Sequence, residues 1–131
     1  MTPVPGRLHG FTELSHQVIG CAIEVHRELG PGLLESTYRD CLARELELND
    51  IPCQRELRLP VMYKGLHVEC GYRVDLLVKD NILLELKAVA KLAPIHEAQI
   101  LTYMKLSGIH FGFLINFNVR RLKDGLRSFV L

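Results

Sequence analysis

This sequence has no excess of one charge sign, no long apolar run and no closely spaced cysteines. Sixteen Lys and Arg against fifteen Asp and Glu leave a formal charge of +1. That excludes a broad basic surface, so any nucleic-acid binding must rest on a local cluster of cations. No apolar run approaches the roughly 20 residues that span a bilayer, so no membrane partner is expected. The opening MTPVPGRLHG holds two prolines and no apolar core, unlike a signal peptide, and a cytoplasmic location is the expectation. Cys21, Cys41, Cys53 and Cys70 stand far apart without C-x-x-C spacing. In a reducing compartment they are expected to be free core thiols rather than bridges or zinc ligands. Repeats, low-complexity tracts and linkers are also missing.

What is present fits one domain over residues 1–131, long enough to bury about two thirds of its unfolded surface. Residues 12–29 carry Leu14, Val18, Ala22, His26 and Leu29, with Ile19 and Ile23 alongside, at a helical period. LGPG then ends that helix, and a second is expected over about 34–49 with Leu34, Tyr38, Leu42 and Leu46 on one stripe. From Ile51 the pattern turns to strands: RELRLPVMY, ended by a turn at KG, then VECGYRVDLLV and ILLELKAV, joined by KDN as a hairpin. APIHEAQILTYMKLSG reads as a third helix, with Pro94 in its first turn and Gly108 at its stop. HFGFLINF and LRSFVL read as closing strands, with Asn116 at a sheet end. The order helix, helix, three strands, helix, two strands predicts a mixed α/β domain with a largely antiparallel sheet.

The ILLELKAV strand poses a chemical question. Its alternation puts Glu85 and Lys87 on one face and Ile82, Leu84, Leu86 and Ala88 on the other. With the hairpin turn centred on Asp80, Asp75 falls opposite Glu85, and cross-strand partners share a face. Two carboxylates ~4 Å apart at an effective dielectric of ~20 repel by about 4 kcal/mol. Lys87 offsets part of this repulsion, and a divalent cation would offset more; hard oxygen ligands suit magnesium or manganese. The bland alternative is a Glu–Lys–Asp salt bridge on a solvated sheet face.

Asp75, nine intervening residues, then Glu85-x-Lys87 across a hairpin resembles the signature of PD-(D/E)XK nucleases, with Val74 where the family's name has proline. GLLESTY (Gly32, Glu35, Tyr38) resembles the motif of the GxxExxY proteins, a branch of that superfamily, and VMYKG, YRVDLLV, LELKAV, HEAQILTYMKLSG and GFLINF follow that branch's order. The resemblance covers about residues 12 to 130. It implies a restriction-endonuclease-like core, a central mixed β-sheet flanked by helices. It also implies that Asp75 and Glu85 hold a metal ion, that Glu35 joins them from the second helix, and that Lys87 assists the attacking water and the scissile phosphate. Without the resemblance, Glu35 would simply complement a helix dipole. Gln99 and Tyr103 share a helix face, and their spacing resembles the Q-x-x-x-Y element of RecB-like nucleases, which supports the site or touches nucleic acid. A core glutamine satisfied by backbone is the alternative for Gln99.

Tyr38 is expected to pack, with its hydroxyl pointing at the site. His96-Glu97 does not open a zinc-protease H-E-x-x-H, because position 100 is Ile. His96 is left between a phosphate contact and a structural role. Arg73, Lys91 and Lys105 are candidates for the local basic patch. The expectation is a magnesium- or manganese-dependent nuclease acting on nucleic acid, DNA in the first instance. Its rival is a nuclease-like module that binds nucleic acid or a protein partner without cleaving. Oligomeric state, a homo-oligomer included, is left open.

Overall fold

The structure is a computed structural model that describes residues 13–69 and 71–131. The opening decapeptide and Cys70, on which two of the expectations above fall, lie outside the described residues. Helix α1 (Glu13–Leu29) buries Val18, Cys21, Ala22, Val25 and His26. Ile23 and Leu29, both expected in the stripe, are exposed: Ile23 points about a third of a turn away from the buried face, and Leu29, in line with Val25, is the last residue of the helix. Gly30 ends the helix in the left-handed region at φ 69°, its N–H donating to His26 O. Helix α2 (Glu35–Leu48) buries Tyr38, Leu42 and Leu46, while Leu34 sits just ahead of it at the cap and is exposed.

Among the described residues five strands, not three, precede the third helix: β1 (Cys53–Arg58), β2 (Val61–Tyr63), β3 (Leu66–Val68), β4 (Arg73–Val78) and β5 (Ile82–Lys87). RELRLPVMY breaks at Leu59-Pro60, where Pro60 has no N–H to extend a ladder, and VECGYRVDLLV breaks ahead of Arg73. The pieces β2 and β3 pair with each other in a separate two-stranded sheet, across a turn at Lys64-Gly65. Helix α3 (Pro94–Ser107), β6 (Phe111–Asn116), a 3₁₀ turn (Leu122–Gly125) and β7 (Leu126–Val130) complete the chain.

The main sheet has the order β1-β4-β5-β6-β7. Among the described strands only β5 and β6 run parallel, and α3 is the crossover that a parallel pair requires. Helices cover both faces. Val18, Ala22, Tyr38 and Leu42 of α1 and α2 pack with Leu76, Leu84, Leu86, Phe113 and Ile115. Ile100 and Met104 of α3 pack with Val74, Leu83, Leu114 and Phe129 on the other side. Cys21, Cys41 and Cys53 are free thiols, and burial pushes those of Cys21 and Cys53 up. His26, buried in α1, places Nε2 2.8 Å from Val119 O.

Candidate active site

Strand β5 sends Ile82, Leu84 and Leu86 into the α1–α2 core, so alternation turns Glu85 and Lys87 to the other face, with Leu83. The β4–β5 ladder runs Val78↔Ile82, Leu77↔Leu83 and Leu76↔Leu84, the register of a loop centred on Asp80. One position further, side chains replace the ladder. Asp75 N–H donates to Glu85 Oε1 at 3.0 Å, and Leu86 N–H donates to Asp75 Oδ2 at 2.8 Å. Each carboxylate is thus fixed by a backbone donor through one oxygen, leaving Glu85 Oε2 to face Lys87. Lys87 Nζ lies 3.9 Å from Glu85 Oε2, with its side chain 16% exposed.

This placement is electrostatically costly. Burial is the first cause that pushes Glu85 up to about 8, and the neighbouring Asp75 charge adds to it; Lys87 only partly opposes this. Burial likewise lifts Asp75 to about 6, against the Leu86 N–H, Lys87 and Arg39, which favour its ionised form. Glu35, the first residue of α2, raises both carboxyls through its charge.

The family model described as the PD-(D/E)XK nuclease superfamily matches residues 12–129. The chain belongs to that superfamily. No curated protein and no solved structure matches the chain at a significant level. Membership accounts for the five-stranded mixed sheet between helices, and it brings a nuclease-like function and nucleic-acid binding with it. PD-(D/E)XK nucleases generally use divalent metal ions, and the donor set here fits one in part. Two hard carboxylates, each with one oxygen free of backbone bonds among the described residues and each made reluctant to ionise by burial and a neighbouring carboxylate, are what a cation stabilises. Among the described residues, however, no three His, Cys, Asp or Glu side chains gather into a metal-holding group. Asp75 and Glu85 are brought together; Glu35 stands within electrostatic reach without closing the set. Magnesium is commonly held by one or two carboxylates plus waters and substrate phosphates, so the pair is sufficient as a platform.

The remaining predicted residues divide between the site and the scaffold. Tyr103 on α3 feels the charges of Glu85 and Asp75, after burial the next causes of its raised pKa together with Tyr72, whose ring centroid lies 6.2 Å away. Gln99, one turn earlier on the same face, is half-buried, and its side chain has no hydrogen-bond partner among the described residues. The expected aim of the Tyr38 hydroxyl needs correcting. Its ring is fully buried and stacked on Phe117 at 4.5 Å, while the hydroxyl donates to Gly30 O at 2.5 Å and accepts from Leu33 N–H at 3.2 Å. It pins the loop from which α2 and Glu35 start. His96 Nδ1 accepts the Ala93 N–H at 2.9 Å, so this nitrogen caps α3 and is not free for phosphate. Asn116 ends β6 as a clamp: Nδ2 donates to Val89 O at 2.9 Å, and Oδ1 accepts from Val89 and Asn118 N–H. Lys91 and Lys105 are exposed before and near the end of α3.

Two neighbours of the site were not anticipated. Arg39 acts on Asp75 from α2, and its position four residues after Glu35, hence on the same helix face, was the available signal. Tyr72 precedes β4, and nothing in its sequence context marks it. An open groove of about 760 Å³, lined in part by Asp40, Arg44, Glu47 and Arg55 between α2 and β1, contains none of the site carboxylates.

Proposed function

We propose that this PD-(D/E)XK protein is a metal-dependent nuclease of the GxxExxY branch, hydrolysing phosphodiester bonds in DNA. The observation that carries the reading is the interlock of Asp75 and Glu85: a half-buried and a buried carboxylate, each tied to the other strand's backbone, with Lys87 beside them. Asp75 and Glu85 would hold magnesium or manganese, with Glu35 completing the shell by side-chain rotation. Such an ion, when bound, neutralises charge on the phosphate and activates a water. Lys87, mostly buried and so weakly screened, holds the nucleophile in line and stabilises negative charge developing on the phosphoryl oxygens. Gln99 and Tyr103 line the α3 side of the cleft against the substrate.

One observation favours a second reading, a module that binds nucleic acid without cutting it: the absence of a closed three-ligand set among the described residues. Metal titration by calorimetry beside a cleavage assay separates the two. Asp75→Asn and Glu85→Gln are expected to weaken magnesium binding, each removing an anionic ligand. Lys87→Met is expected to retain or tighten it while losing cleavage by on the order of 10²–10³-fold, the scale of one lost transition-state contact. A Lys87→Met variant cutting at the wild-type rate removes the lysine from the chemistry. Wild-type protein that binds magnesium and DNA yet cuts nothing supports the second reading.

A further inference from the structure

Beside the carboxylates lies a group of charges that the catalytic reading leaves unused. Glu56 Oε1 is shared by two guanidinium groups, 3.4 Å from Arg39 Nη1 and 3.6 Å from Arg73 Nη1. Arg73 precedes Asp75 by two residues on β4, and Arg39 follows Glu35 by one turn on α2. We propose that Arg39 and Arg73 form a subsite for a backbone phosphate of the nucleic acid next to the scissile one, and that Glu56 fills it in the free protein as a stand-in anion. The proposal rests on the nuclease reading for the identity of its ligand.

Three observations support it. The contacts are long for charge-assisted hydrogen bonds, which run about 2.7–2.9 Å, so the carboxylate holds both cations loosely. Glu56 is 46% exposed and Arg73 48%, so the carboxylate can leave for solvent at little cost. The second observation is in the backbone. Glu56 has φ 53° in the middle of β1, a left-handed residue without glycine's freedom. It stands opposite Asp75, where the β1–β4 pairing passes from Arg55↔Leu76 to Leu57↔Val74 without a pair between. A strained residue at that point, carrying an anion into a two-arginine fork, is where function is expected to sit. The third is connectivity. Arg39's charge reaches Asp75, so the fork and the carboxylates share one field, and the near-neutral chain needs such a local cation cluster to hold a polyanion at all.

The test is equilibrium binding of a fluorescein-labelled DNA oligonucleotide to the full chain, by anisotropy, in chelator and over a series of salt concentrations. Glu56→Gln is expected to tighten binding roughly threefold to tenfold by removing the competing anion. Glu56→Gly, which also suits the positive φ, is expected to do the same and stands in if the glutamine variant folds poorly. Arg39→Gln and Arg73→Gln are expected to weaken binding, each lowering the salt slope by about 1. Glu56 variants that bind no more tightly than wild type overturn the subsite. Magnesium-supported cleavage measured alongside keeps the two proposals apart. Tightening by Glu56→Gln without any cleavage leaves the subsite standing and sinks the nuclease reading. Cleavage with no response to the Glu56 variants does the reverse.

Discussion

Burial pushes Glu85, 4% exposed, up to about 8 and Asp75 up to about 6, against ordinary values of 4.5 and 3.8. A carboxyl whose folded pKa lies above its unfolded one binds its proton more tightly when folded. Its contribution is therefore intact below the unfolded value and lost as pH rises through the folded one. Without divalent metal, the melting temperature is expected to fall between about pH 4 and pH 8, and Asp75→Asn is expected to make that fall shallower. Magnesium should raise the melting temperature more at pH 8 than at pH 5, because metal and protons compete for the same oxygens. Melting curves across pH, with and without magnesium, check this; equal slopes for wild type and Asp75→Asn would contradict it. At this scale the Asp75–Glu85–Lys87 arrangement was legible, because alternation and one turn centre determine which side chains meet. The Tyr38 hydroxyl was not. A buried hydroxyl takes whichever backbone partner the loop offers, and here that partner is Gly30 O.

Elements position those residues, and two contacts between elements set how rigidly. The GxxExxY spacing has a physical content: Gly32 takes φ 97°, Glu35 opens α2, and Tyr38 ties the intervening loop back to the helix through Gly30 and Leu33. Tyr38→Phe keeps the stack on Phe117 but leaves these backbone groups unpaired, and is expected to cost about 1–2 kcal/mol in denaturant unfolding. At the far end of β5, a Cβ on Gly125 would lie 2.1 Å from Asn116 O. Gly125→Ala must therefore shift backbone beside the Asn116 clamp on Val89, with an expected loss of about 1–3 kcal/mol by the same measurement. The helices and the β4–β5 hairpin were legible from period and turn residues. The turn at Lys64-Gly65 was legible too, but the separation of β2 and β3 from β1 and β4 was not, because Pro60 and Gly71 interrupt runs whose alternation continues across the breaks. Nor does any propensity foretell a left-handed Glu56 inside a strand.

The molecule as a whole balances its charge, so its recognition of a polyanion depends on where charges are held. On one side of the sheet's interior lie carboxylates that favour a cation; beside them lie Arg39 and Arg73, which favour phosphate. No helix among the described residues is long and apolar enough to cross a membrane. The most direct test of the central claim, metal-dependent cleavage at the Asp75–Glu85 pair, is incubation of labelled DNA with purified wild type and Asp75→Asn. Each would be run in magnesium, in manganese and in chelator. The expected result is cleavage by wild type with either metal, none in chelator, and a loss of at least on the order of 10²-fold in Asp75→Asn. Cutting that persists in chelator, or that Asp75→Asn retains at the wild-type rate, would contradict it.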